Sequence, residues 1–299
     1  MTTFHHALRR RFVFRSLAAW LAAGSMATGA LSAALAQESS GAAAASRTPT
    51  GKVPAAVSVL SIVEHPSLDA LRDGLHDELK DAGYQDGKSL HWAYQSAQGN
   101  QGTAVQIARK FVGDRPDVIV PIATPAAQAV VSATHQIPVV YNAITDPIAA
   151  QIVKSMAPSG TNVTGVSDKL VADRQVAFIK RVVPDVKRVG IIYSPAEANS
   201  VSATREMKVA LEKQGISLVE VAAPRSIDVG QAAQRLVGKV DVIYTSNDNN
   251  VISAYESVIK VANAAKIPLI CADRSSVQRG ATGAMAIDYY RMGRQTGRM

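Results

Sequence analysis

The chain has 299 residues, of which 47% are hydrophobic and 19% charged, enough apolar material for the cores of about two domains and too much for a disordered tail. Its single cysteine, Cys271, excludes an intramolecular disulfide and a cysteine-ligated zinc or iron–sulfur centre built by one chain. The net charge of +8 does not read as a nucleic-acid face, because half of it comes from Arg9, Arg10, Arg11 and Arg15 in an N-terminal segment without a single acid.

That segment has the three parts of a secretory signal. A cationic run, Arg9 to Arg15, precedes an Ala/Leu-rich stretch from Ser16 to Leu35, and small residues at Ala34-Leu35-Ala36 offer a cleavage site. Gly24, Ser25, Thr28, Gly29 and Ser32 dilute the apolar stretch, which favours cleavage near Ala36 over a retained anchor. The Arg-Arg-x-Phe-Val order resembles a twin-arginine signal but lacks the preceding Ser or Thr, so the general secretory route and the folded route stay open. Residues 1–36 are therefore expected to be a signal peptide and 37–54, rich in small residues with no apolar period, a flexible linker. A periplasmic location follows, away from ATP, nucleic acid and cytosolic NAD, and a lone cysteine is compatible with it.

From Val57 onward β-rich runs alternate with helical periods, the pattern of an α/β protein with parallel sheets flanked by helices. The runs are 57–63, 89–94, 117–123, 137–143, 187–193, 217–222, 240–246, 267–271 and 283–287. Leu68, Leu71, Leu75 and Leu79 share one helical stripe; Val251, Ile252, Tyr255, Val258, Ile259 and Ala262 share another. Gly83 and Gly215 stop equivalent helices in the two halves. Landmarks recur at similar separations: Gly83 and Gly215, Asp117 and Asp241, Pro138 and Pro268. Two similar lobes are expected, 55–160 plus 283–299 and 161–282. The segment Pro158 to Gly165 is read as a crossing between them and 283–287 as a strand returning to the first.

In open parallel sheets, ligands bind beyond the carboxyl ends of the strands, where helix N-termini present free N–H groups. The residues following the runs are Glu64-His65-Pro66, Thr124-Pro125, Thr145-Asp146-Pro147, Ser194-Pro195, Asn247-Asp248-Asn249 and Asp273-Arg274. Each is also a plausible helix cap, since Ser, Thr, Asp and Asn are favoured there and Pro suits the first turn. Together they would surround one cleft, offering N–H groups and hydroxyls to an anion and Asp146, Asp248 and Asp273 to a cation. A small zwitterion would use both. Micromolar binding requires about 8 kcal/mol, which several such contacts supply only together, when two lobes close on the guest.

These residues resemble a known family. Glu64-His65-Pro66-Ser67-Leu68-Asp69, Ala97-Gln98-Gly99-Asn100, Ala123-Thr124-Pro125-Ala126-Ala127-Gln128, Thr145-Asp146-Pro147, Asn162-Val163-Thr164-Gly165-Val166-Ser167, Asp248-Asn249 and Ile287 to Arg294 look like the ABC-transporter substrate-binding proteins of the tryptophan/tyrosine transport type. The likeness runs from about Val57 to Gly297. It implies a type I periplasmic binding fold of two Rossmann-like lobes around a ligand cleft, and capture of a small ligand for a membrane permease, with aromatic amino acids the substrates of some members. Carried across by position, His65, Thr124, Asp146, Asp248 and Asn249 become expected ligand contacts, and Ser194 and Asp273 join them as strand-end residues. Family members usually continue beyond the segment Gly293 to Gly297 with more helix and a terminal strand, so the end at Met299 implies a truncation or a missing final crossing.

Within the expected site, Asp248 would take an α-ammonium group or else cap the helix near Val251, and Thr124 would take a carboxylate or else cap. Asp146 would contact the ligand or brace the hinge; His65 would stack on or hydrogen-bond the guest. Trp92, Tyr94, Tyr141, Tyr193, Tyr244 and Tyr289 could flank an aromatic ligand, though strands favour aromatics regardless. Cys271 reads as a buried small hydrophobe. No Gly-x-Ser-x-Gly elbow, His-Glu-x-x-His or phosphate-binding glycine loop is present, so no catalytic residue, metal or cofactor is expected. The protein reads as the monomeric substrate-binding component of an ABC importer that takes a small zwitterion, an apolar or aromatic amino acid, by hinge closure, with no nucleic-acid partner. The alternatives are a periplasmic sensor serving a membrane receptor and, less favoured, a periplasmic enzyme.

Overall fold

A computed structural model describes residues 54–158 and 160–299. The signal peptide read over 1–36 and all of the linker over 37–54 except Pro54 lie outside the described residues.

Among the described residues, ten strands form two five-stranded parallel sheets. The first has the order β2 (Leu90–Ser96), β1 (Ala55–Ser61), β3 (Val118–Ile122), β4 (Val139–Asn142), β5 (Val163–Val166). The second runs β10 (Gly283–Ile287), β9 (Leu269–Asp273), β8 (Val242–Thr245), β6 (Arg188–Tyr193), β7 (Ser217–Ala222). Helices α1 (Pro66–Asp81), α2 (Gln101–Asp114) and α3 (Thr124–Ala133) follow strands of the first sheet. Helices α4 (Ala172–Val182), α5 (Ala198–Glu212), α6 (Val229–Leu236), α7 (Asn249–Ser253), α8 (Tyr255–Ala265) and α9 (Arg274–Arg279) belong with the second, and α10 (Tyr289–Arg298) follows β10. None of these helices is long and apolar enough to cross a membrane.

The leucine stripe of α1 does what its spacing predicts: Leu68, Leu71 and Leu75 are buried in the core of the first lobe, with Leu79 at its margin. Strand cores are nearly continuous apolar runs, as sheets covered on both faces require; Val59, Leu60, Ile119 and Ile122 are fully buried. The second lobe carries a cluster on each face of its sheet, one around Ile243 and Tyr255, the other around Ile191 and Ile270.

The expected likeness of the halves is visible in hydrogen bonds. Gly83 and Gly215 both have positive φ, 93° and 68°, and each closes its helix with paired bonds: Gly83 N–H to Lys80 O with Tyr84 N–H to Leu79 O, and Gly215 N–H to Glu212 O with Ile216 N–H to Leu211 O. This is the Schellman arrangement, which needs a left-handed residue at that position. Asp117, just before β3, accepts from Ala56 N–H of β1 at 2.7 Å; Asp241, just before β8, accepts from Arg188 N–H of β6 at 2.8 Å.

Two expectations about the crossings are corrected. Residues 163–166 form β5, paired with β4 in register Val139 to Val163, so the segment read as a turn completes the first sheet and the chain crosses only after it. The strand at 283–287 pairs with β9 and stays in the second sheet; helix α10 makes the return. It is held there by a close backbone approach, since a Cβ at Gly293 would collide with the Leu71 carbonyl and one at Gly74 with the Tyr290 carbonyl. Arg294 adds ion pairs to Glu78 and Asp81 of α1.

Candidate ligand site between the lobes

The carboxyl ends of both sheets carry the expected residues. His65 caps α1, its Nδ1 accepting from Leu68 N–H at 3.4 Å. Its Nε2 is buried beside the Asn249 amide of the other lobe without a well-formed hydrogen bond. Burial, reinforced by Arg279 and opposed by Asp273, pushes the imidazole down to about 4, so at neutral pH it is an uncharged ring with one unused nitrogen.

Thr124 is the first residue of α3. The preceding Ala123 adopts φ 71° and ψ 158° and gives the helix no side-chain cap, a backbone region nearly reserved for glycine. Thr124 is 1% exposed, and its hydroxyl has no partner among the described residues. At the end of β4, Asn142 is fully buried with both amide atoms unpartnered. Buried polar atoms ordinarily find partners; this strand-end edge gathers an uncapped helix N-terminus, a hydroxyl, an imidazole nitrogen and a carboxamide without them.

Of the two roles open to Asp248, the structure shows the cap. Oδ2 accepts from Ser194 N–H at 2.6 Å and Ser200 Oγ at 2.5 Å; Oδ1 accepts from Ser194 Oγ at 2.8 Å and Val251 N–H at 2.9 Å. The group is fully buried. Four donors from its own lobe occupy it, leaving no oxygen for an ammonium group. Asp248 and Ser194 thus lock the ends of β6 and β8 to α5, and Asp248 caps α7.

An acid with capacity to spare is Glu197, the residue that precedes α5, which the sequence reading passed over. Its Oε2 accepts from Asn249 Nδ2 at 2.7 Å, Asn249 N–H at 3.3 Å and Asn199 Nδ2 at 3.2 Å, while no bond reaches Oε1. It is 6% exposed, and among the described residues no basic side chain pairs with it. Burial and then the neighbouring Asp248 charge push its carboxyl up to about 7, against the opposing amides of Asn249 and Asn199. Asn249 therefore sits between Glu197 and His65.

Asp273 and Asp146 act as braces. Asp273 accepts from Ser276 N–H, Ser276 Oγ and Ser275 Oγ in its own lobe and from Ser67 Oγ of α1 at 3.0 Å. Asp146 accepts from Ala149 N–H and, at 2.9 Å, from Ser202 Oγ of α5. Although burial opposes it, those donors and Lys169 hold the Asp146 carboxyl below the usual range. Gln101 Nε2 to Ala196 O at 3.2 Å adds a further bond between the lobes. A second residue missed from sequence, Asp168, is buried at the crossing and accepts from Thr145 Oγ1 (2.8 Å), Asn247 Nδ2 (3.0 Å) and Tyr289 OH (2.8 Å). Beside it lies a cavity of about 30 Å³ bordered by Gln175, Ser246 and Asn247, whose unpartnered oxygens suit a trapped water. Of the aromatics, Trp92 packs on His76 on the edge strand and Tyr289 serves the crossing.

Residues 56–299 match the family described as ABC transporter substrate binding protein. A tyrosine-binding protein of Clostridioides difficile is 40% identical over 243 residues, 81% of this chain and 70% of that one. Among solved structures, a Streptococcus pneumonia ABC domain in complex with L-Trp is 36% identical, covers 82% of this chain and 83% of its own, and superposes with a TM-score of 0.80. A ligand-free, open substrate-binding protein from Clostridium difficile, 38% identical with 81% and 82% covered, gives 0.61. With two parallel α/β sheets, and matched by that family model over residues 56–299, this chain belongs to the ABC transporter substrate-binding protein family.

Proposed function

We propose that the protein captures a small zwitterion, an aromatic amino acid such as tryptophan or tyrosine, by closure of its lobes, and delivers it to an ABC permease from the periplasm. The observation that carries this reading is the set of buried, unpartnered groups where the lobes meet: Thr124 Oγ1 at an uncapped helix N-terminus, His65 Nε2 and the Asn142 amide. A carboxylate at α3 would gain about 0.3–2 kcal/mol from the helix terminus, and the hydroxyl and amide would add charge-assisted bonds. The relatives' ligands, tyrosine and L-Trp, support the side-chain class.

Closure is supported by the shape comparison. At nearly equal identity and coverage, the chain superposes better on the tryptophan complex than on the open protein. The bonds Ser67 to Asp273, Ser202 to Asp146 and Gln101 to Ala196 span the lobes and fit a closed arrangement.

The test is calorimetric titration with L-tryptophan and L-tyrosine, on the parent protein and on Thr124→Val. Because the hydroxyl bonds nothing inside the protein, the valine should melt within a few degrees of the parent while losing about tenfold or more in affinity. Full affinity in the variant, or no binding of either amino acid to the parent, would contradict the reading.

A further inference from the structure

We propose that Glu197 is the residue that takes the ligand's cationic group, and so sets selectivity for ligands bearing an ammonium over neutral or purely anionic ones of the same shape. This deepens the cleft reading and rests on it. Three observations converge on Glu197. First, position: it immediately precedes α5, and the neighbouring residues Ala196 and Ala198 touch the first lobe, Ala196 O accepting from Gln101 and Ala198 packing against that lobe's core. Second, capacity: all three bonds to the carboxylate fall on Oε2, so Oε1 keeps its full accepting power. Third, charge: the other acids at the ends of β8 and β9 are occupied, Asp248 by four donors of its own lobe and Asp273 by Ser275, Ser276 and Ser67.

A carboxylate enclosed without a counter-charge is costly, and the cost disappears when a cation is enclosed with it. Glu197 therefore disfavours closure over a guest with no positive charge and favours it over a zwitterion. Asn249 positions the acid by donating both its backbone and side-chain N–H to Oε2, which leaves Oε1 free to accept. Its neighbour on the other lobe, His65, is uncharged at neutral pH and does not compete as a cation. The upward displacement of the Glu197 carboxyl agrees with an acid that lacks its positive partner.

The experiment compares L-tryptophan with 3-indolepropionate, which keeps the ring and carboxylate and lacks the amine, by calorimetry at pH 8 on the parent, Glu197→Gln and Glu197→Asp. Melting curves of each variant report folding. The parent should prefer tryptophan; Glu197→Gln should lower tryptophan affinity about 30-fold or more and narrow the preference by a similar factor, with Glu197→Asp, which retains the charge, falling between. An unchanged preference in folded Glu197→Gln, or equal losses for both compounds, would overturn the assignment while leaving the cleft reading intact. A parent protein that binds neither compound nor tyrosine would remove both.

Discussion

Tyr289 donates its phenolic hydrogen bond to Asp168 at 2.8 Å across 121 positions of sequence, joining the segment by which the chain leaves the first lobe to the helix by which it returns. Thr145 and Asn247 complete the shell of Asp168 from the ends of β4 and β8, so one buried carboxylate gathers both crossings and both sheets. Burial raises its pKa against those three donors.

Tyr289→Phe removes one donor and leaves the ring's packing. Loss of a bond to a buried carboxylate costs about 1–3 kcal/mol, so chemical denaturation should show a stability loss of that order. A variant as stable as the parent would mean that the crossing does not depend on this bond.

The pH dependence of stability has two opposing arms. His65 is about 4 when folded against 6.5 unfolded, so the unfolded chain takes the proton first and stability is lost as pH falls from 6.5 to 4. Glu197 is about 7 when folded against 4.5 unfolded; its contribution is fully present below 4.5 and lost as pH rises through 7. The two arms run in opposite directions and oppose one another between 4.5 and 6.5. Urea midpoints of Glu197→Gln should therefore exceed the parent's at pH 8 with the gain gone by pH 4.5, whereas His65→Asn should reduce the loss on acidification from 6.5 to 4.

Ala123→Gly tests the strained approach to α3. Glycine occupies φ 71° and ψ 158° without penalty, which should raise stability by about 1 kcal/mol while loosening the helix end that faces the guest. Thermal melting should rise and tryptophan affinity fall; a fall in both would show that the alanine methyl, not the backbone, matters.

Gly293→Ala places a methyl against the Leu71 carbonyl. Because the obstacle is backbone, α10 must move, and a loss of about 1–3 kcal/mol is expected. Denaturant midpoints measure it, and hydrogen exchange should show the weakening in α1 and α10 rather than in the second sheet.

Much of this architecture is legible in the chain. β-rich runs between helical periods gave nine of the ten strands of the described residues, and Gly83 and Gly215 marked equivalent helix ends. Val163–Val166 was missed because Thr164 and Gly165 interrupt its pattern among turn-forming residues; it is a strand only because β4 lies beside it. The return of 283–287 was misassigned because an edge strand reads the same in either sheet. Strand-end logic placed His65, Thr124 and Asn249 where helices begin beyond the strands but could not rank acids: Asp248 is occupied by Ser194 and Ser200, partners 54 and 48 residues distant. Glu197 looks from sequence like an acid at the start of any helix. Only the folded arrangement tells a saturated carboxylate from one with an oxygen to spare.

Small-angle X-ray scattering during titration with L-tryptophan tests closure over an amino acid most directly. The account predicts that the radius of gyration falls as the site fills and reaches a plateau at one equivalent, with the saturated curve matching the arrangement described above. Tryptophan bound at one equivalent with no change in the radius of gyration would contradict it.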